Sequence, residues 1–417
     1  MKKTLIAILP SFRLLAIGLL AVGLAASIAL ANIGWVLLSV LLIMEYGVGI
    51  KKFHYQPSPL DMPIAAWIGV FIVTSCLSIA PLHSFQLWNS ELLAIVFYVC
   101  WYGINSQEAD RALRIFTVAT GIVSLFGLIQ YMIGIDRNFL GVLTNIPEWA
   151  ATVLPPALIE ELALKQGRII ASRSHPLTFA ECALFGFIFS LAFLIITRSI
   201  KKKIFWFINS LIILGAILFS FSRGPWLGLL AGAPVLLLVK KKHVIRVRYI
   251  AIALIGIALF MFLNPGLRSR ILSLDVSSHE STMTRIGLWK TGFRIMRDYP
   301  ITGIGPRSLK QVYRLYQSPE IPDKRIWSEL HNQYIHIGAE RGLLGLGIYL
   351  WLLATIGCMF FFAWKQNVFS LQGHIAAAGL ACFVAFIVVS LTENAFFDSE
   401  VALLLWFILG TAVRHET

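Results

Sequence analysis

The chain predicts an all-α polytopic membrane protein of about twelve transmembrane helices, from its hydropathy, its helix-length apolar runs and the placement of its basic residues. Hydrophobic residues fill 58% of the 417 positions and charged residues only 13%, about half the charged share of a soluble domain. Apolar runs recur at 14–31, 33–50, 62–80, 89–104, 114–135, 177–197, 204–221, 225–239, 249–263, 342–363, 375–391 and 400–413. Several are shorter than the about 20 residues that cross hydrocarbon, so their ends extend into polar flanks. Residues 1–417 read as one integral membrane domain with no internal repeat, low-complexity tract or soluble module.

An even number of spans puts both termini on one side, and basic residues in short connections mark that side as cytoplasmic. Lys2, Lys3 and Arg13 precede the first run, Lys51 and Lys52 follow the second, and Arg111 and Arg114 follow the fourth. The same face takes Arg198 and Lys201–Lys203, Lys240–Lys242 with Arg246 and Arg248, then Lys365 and Arg414. The short outer connections near 32, 81–88, 222–224 and 392–400 carry one basic residue, Arg223. Topology and anionic inner-leaflet lipid thus account for much of the net charge of +14, and no nucleic-acid partner is expected. The N-terminus imitates a signal peptide with an Ala29-Leu30-Ala31 site, but the apolar run that follows at once favours an uncleaved first span. Cys76, Cys100, Cys182, Cys358 and Cys382 all fall in predicted spans and read as small apolar residues.

Two long outer loops, at 136–176 and 264–341, escape the charge rule by their length. The second is net basic, which suits an anionic ligand. Its Ile286, Trp289, Phe293 and Met296 predict a helix ended by Asp298-Tyr299-Pro300, with Arg285 and Trp289 one turn apart on one face. Gly303-Ile304-Gly305-Pro306 predicts a turn. A second helix is expected from about 327 through His331 into the tenth span, with Leu330, Tyr334, Ile337 and Arg341 as one stripe. The loop therefore reads as a helical lid lying against the outer membrane surface.

The chemistry-bearing residues are few. On a helix His331 and His336 would stand about 140° apart, which disfavours a zinc pair, so no metal and no cofactor is expected. His336 and Glu340 read as a helix-surface pair. His331 is either an interfacial histidine or a general base for drawing a proton from a hydroxyl. Arg223, beside Gly224-Pro225 at a helix N-terminus, is either an interfacial anchor or an anion ligand. Arg285 can meet the same anion from the loop helix. Glu393, Asn394, Asp398 and Glu400 form an outer acidic corner that reads as a solvated loop unless it orients a basic group or a sugar hydroxyl. Glu181 lies inside the sixth span, where an ionisable residue faces a cavity. Glu45 is expected to be hydrated near the cytoplasmic side.

Several of these residues carry a resemblance. His331-Asn332, nine residues, then Gly342-Leu343-Leu344-Gly345 is similar to the H-[NSQ]-x9-G-x-x-G pattern of bacterial O-antigen ligases, and Arg223-x3-Leu227 to their R-x3-L pattern. Thr284–Trp289, Asp298–Gly305, and Gly167-Arg168 through Ser174-His175-Pro176 resemble segments of the wider O-antigen ligase and polymerase superfamily. The similarity covers about 167–345. It implies a GT-C-type glycosyltransferase, inverting and metal-independent, in the bacterial inner membrane with its site periplasmic. The donor it implies is a glycan on undecaprenyl diphosphate, and the ligase acceptor is a sugar hydroxyl of lipid A-core. In that frame His331 is the base, Arg223 and Arg285 bind the diphosphate, and Asn332, Trp289, Asp398 and Glu393 are supporting candidates. Two arginines suit charge building on a diphosphate leaving group, which needs no second carboxylic acid to protonate it. A polymerase or protein O-oligosaccharyltransferase would use the same chemistry. A lipid-linked glycan transporter would share the spans and the cationic cavity without needing a base.

Overall fold

The computed structural model describes residues 2–50, 52, 54–133, 168–173, 175–239, 256, 259, 261–272, 280–321 and 325–413. Most of the loop at 136–176, most of the run at 249–263, and the basic residues at 240–242, 246, 248 and 414 lie outside them. The described residues are helical with no strand. Numbered along the chain, the helices are α1 (Lys2–Ala26), α2 (Ile28–Gly47), α3 (Asp61–Cys76), α4 (Ile95–Gly103), α5 (Ser106–Ile133), α6 (Pro176–Ile196) and α7 (Ile200–Phe219). They continue with α8 (Arg223–Gly232), α9 (Pro265–Leu272), α10 (Glu280–Asp298), α11 (Leu309–Tyr316), α12 (Gln333–Gln366), α13 (Leu371–Val389) and α14 (Ser399–Ala412). Among the described residues seven helices are long and apolar enough to cross a membrane, namely α1, α2, α5, α6, α7, α12 and α13. The apolar α3 and α14 are shorter.

Three of the expected runs are not single α-helices, the run at 14–31 crossing the extended Ser27 between α1 and α2. The run at 89–104 begins in short turns, 3₁₀ at Phe85–Leu87 and Leu92–Ala94, before α4. The run at 225–239 passes from α8 into a 3₁₀ segment, Ala233–Val239, where Pro234 removes a backbone donor and disturbs α-helical bonding. Because every residue from Val401 to Ala412 is buried, α14 sits at the centre, as a helix apolar all round should. It packs on α4 and α13, while α8 and α12 lie against α13.

Glu45 departs from the expected hydration. It is buried and pairs with Arg13 at 3.0 Å, and Arg13 also reaches Glu108 at 2.8 Å. A buried carboxylate needs such a partner, and this cluster joins α1, α2 and the start of α5.

The described part of the 264–341 loop folds on itself. It builds its own apolar centre from Leu288, Ile295, Leu309, Tyr313, Leu330 and Ile335, and each such burial contributes about 1.5–3 kcal/mol. This corrects the predicted face of α10: Leu288 and Ile295 point inward, whereas Phe293 is exposed. On the exposed side Lys290 pairs with Glu320, and that ammonium, with the Ser318 hydroxyl, holds the Glu320 carboxyl below its usual range.

A second correction concerns the approach to α12. The helix begins at Gln333, not near 327, because Asn332 caps it: its side-chain oxygen accepts from Tyr334 N at 3.1 Å and Ile335 N at 3.0 Å. His331 lies outside the helix with φ +47°, so helical spacing does not relate it to His336. Further on, Gly342 interrupts α12 with φ 65° and ψ −172°, a conformation essentially reserved for glycine. The turn between Pro300 and Gly305 seals the break. Ile304 N donates to Ala339 O (3.1 Å) and Gly305 N to Glu340 O (2.8 Å), while Leu343 N and Leu344 N donate to Pro300 O (2.7 Å) and Ile301 O (3.3 Å). Gly342 therefore ends one helical segment and admits a crossing turn.

Candidate functional site

His331 stands where three pieces of chain converge: the end of the outer loop, the cap of α12, and the connection between α13 and α14. Its left-handed backbone is unfavourable for a residue with a Cβ, and strain of this kind gathers at functional sites. Neighbours fix it in place. Trp289 Nε1 on α10 donates to His331 O at 3.4 Å, and the Trp327 ring meets the imidazole edge-on with centroids 5.5 Å apart. Asn332, besides capping α12, donates from Nδ2 to Leu391 O at 2.8 Å. The segment carrying His331 is thereby tied to the connection that follows α13.

The imidazole is oriented by Glu393. Nδ1 of His331 lies 3.1 Å from Glu393 Oε2, and the other carboxylate oxygen accepts from Arg285 Nη2. A carboxylate only accepts, so in the tautomer that makes this hydrogen bond Nδ1 donates and Nε2 keeps its lone pair as an acceptor. Nε2 is 3.8 Å from Glu329 Oε1. The acidic corner is consequently not a solvated loop, since Glu393 is 4% and Asn394 9% exposed. Asp398 caps α14, accepting from Glu400 N at 3.0 Å, and takes a hydrogen bond from Thr178 Oγ1 at 2.7 Å.

Two cavities meet at this histidine. The smaller, about 350 Å³, is lined by Arg168, Arg223 and Arg285 together with Trp289, Ile286 and Leu227. Arg223 stands at the N-terminus of α8, as its sequence context predicts, and Phe221 just before it takes φ +52°. Arg285 and Trp289, one turn apart on α10, both face this cavity. Three guanidinium groups near a helix N-terminus suit a phosphate-bearing ligand. The larger cavity, about 690 Å³, is lined by Glu181, Trp327, Glu329, Asn394 and Asp398. Both share a wall of His175, Leu177, His331 and Glu393.

The structure thus brings His331, Arg223, Arg285, Trp289 and Glu393 to one place and sets Asp398 across the larger cavity. It adds Arg168, which donates to Ser220 O (2.8 Å) and Ser222 Oγ (3.0 Å) just ahead of Arg223. The Gly167-Arg168 resemblance pointed to that segment without marking the side chain. His336 and Glu340 are not a surface pair. Both are buried, 3.5 Å apart, and Glu340 accepts from Arg307 N (2.8 Å) and Leu309 N (3.4 Å), capping α11 from another helix. That pair supports the fold of the loop and takes no place in either cavity.

Residues 208–350 match the family described as O-antigen ligase. The matched stretch contains Arg223, Arg285, Trp289, His331 and Asn332, and leaves Arg168, Glu181, Glu393 and Asp398 outside it. No curated protein matches the chain.

Proposed function

We propose that this multi-pass membrane protein is an O-antigen ligase, transferring a glycan from undecaprenyl diphosphate to a sugar hydroxyl of lipid A-core. The observation that carries the reading is the meeting of an arginine-lined cavity and a second cavity at one imidazole. In this reading the protein sits in the bacterial inner membrane with both termini cytoplasmic and the site periplasmic, which the basic residues of the short connections support.

The diphosphate occupies the smaller cavity. Arg223 and Arg285 neutralise the charge that builds on it as the glycosidic bond lengthens, and such fixed charges in a water-poor site act mainly on the transition state. His331 Nε2 takes the proton of the acceptor hydroxyl as that oxygen attacks the anomeric carbon from the side opposite the diphosphate, inverting its configuration. Glu393 holds the imidazole and steadies the imidazolium that forms, the role a carboxylate plays behind a catalytic histidine. Trp289 and Asn332 fix the His331 backbone. Asp398 anchors the far side of the acceptor cavity through Thr178 and α14.

General-base catalysis contributes about 10² to 10⁴-fold, so His331→Ala is expected to lower transfer by that factor. The measurement is release of undecaprenyl diphosphate by purified protein supplied with donor and acceptor. Release at the wild-type rate would remove His331 from the chemistry, whereas a wild-type protein that releases none from donor and acceptor would favour a transporter. Product found on a longer lipid-linked glycan, and never on lipid A-core, would make the protein a polymerase.

A further inference from the structure

The two cavities at His331 offer a ligand opposite things. The smaller presents cations, whereas four carboxyl-bearing residues, Glu181, Glu329, Glu393 and Asp398, line the larger against Lys310 and Arg325. Acidic residues alone do not make a site, but hydrogen bonding supplies a second observation. Three polar atoms on residues of this cavity, Glu181 Oε1, Asn394 Oδ1 and Trp327 Nε1, are buried and have no hydrogen-bond partner among the described residues. Glu181 is 3% exposed. Native proteins rarely leave buried donors and acceptors unmet, and small rotations of these three side chains would turn the atoms into the cavity their residues line. One is a donor and two are acceptors as written, a set that polyhydroxyl compounds satisfy because each hydroxyl both donates and accepts.

We infer that the larger cavity is the acceptor chamber and that it selects a sugar without negative charge, whose hydroxyls are held by Glu181, Asn394 and Trp327. The inference rests on the transferase reading above. In-line displacement needs the attacking hydroxyl on the side of His331 away from the diphosphate, and the larger cavity is that side. Phosphorylated or carboxylated sugars meet carboxylates there, a repulsive element that discriminates as effectively as an added contact. Glu181 is a specificity residue on this account, and it touches the acceptor and not the donor.

The experiment uses full-length protein in lipid nanodiscs with the diphosphate-lipid donor and two synthetic alkyl glycosides that differ only by a phosphate monoester remote from the attacking hydroxyl. Wild type should prefer the uncharged glycoside in kcat/KM by roughly tenfold or more, since sites built around hydroxyl recognition discriminate strongly. Glu181→Leu should raise the KM of the uncharged glycoside by about tenfold with a much smaller change in kcat, and Glu181→Gln should restore most of that loss. Equal use of both glycosides overturns the inference, as does a Glu181→Leu defect confined to kcat or one that Glu181→Gln fails to relieve. If Glu181→Leu does not fold, the wild-type preference and the Glu181→Gln kinetics still decide. Saturation-transfer NMR of the two glycosides on the same nanodiscs separates the two layers: uncharged glycoside bound selectively without turnover keeps the chamber and sinks the transferase reading.

Discussion

Glu393 divides its two oxygens between Arg285 and His331, so one buried carboxylate sets the charge and orientation of both cavities. Glu393→Gln keeps the shape but replaces one acceptor oxygen with an NH₂, which only donates, so His331 and Arg285 no longer each have an acceptor oxygen of their own. Transfer should fall by between roughly 10-fold and 10⁴-fold, the range seen for carboxylates that orient a metal-binding or catalytic imidazole. The check is kcat of the purified variant beside its thermal unfolding temperature, and full activity in a folded variant would rule out the orienting role. The three candidates His331, Arg223 and Arg285, which line one cavity, could be picked from the sequence because each sits in a short spaced pattern. Glu393 was legible only as a member of an acidic corner. Its tie to His331 spans 62 positions, and no local spacing encodes such a contact. The mistaken reading of His336 and Glu340 has the same origin, because helical spacing reports a shared face but not what covers it.

Among the elements, α12 shows how much one glycine decides. A Cβ on Gly342 would lie 2.1 Å from Ile301 O, on a backbone that side chains scarcely adopt. Gly342→Ala should therefore destabilise by about 1–3 kcal/mol and more if the turn is expelled, lowering the unfolding temperature and transfer together. Gly347, on the same helix, has nothing within 4 Å of its would-be Cβ. Gly347→Ala should be neutral or raise stability by about 0.5–1 kcal/mol. Equal behaviour of the two variants in differential scanning fluorimetry would refute the account. The Gly342 and Gly345 pattern was visible in the sequence as the start of a span. The break was not, since its cause, a turn 37 to 42 residues earlier, lies outside any helical window.

At the scale of the whole molecule, helix class and membrane character were legible because burial in lipid demands apolar, internally hydrogen-bonded segments. The interior ion pairs were not. Arg341 is fully buried, pairs with Glu91, and stacks over Trp67 at 4.3 Å and Phe397 at 5.3 Å, joining α12 to α3, to the turns before α4 and to the α13–α14 connection. Removing one partner leaves an uncompensated charge. Glu91→Leu alone should cost about 3–5 kcal/mol, and Glu91→Leu with Arg341→Met should recover much of it. A double variant no more stable than Glu91→Leu, by thermal unfolding in detergent, would contradict this. The sealed break at Gly342 has a mechanical consequence. Four backbone hydrogen bonds stitch the Pro300–Gly305 turn into α12, so that edge of the outer loop is a fixed roof beam and not a hinge.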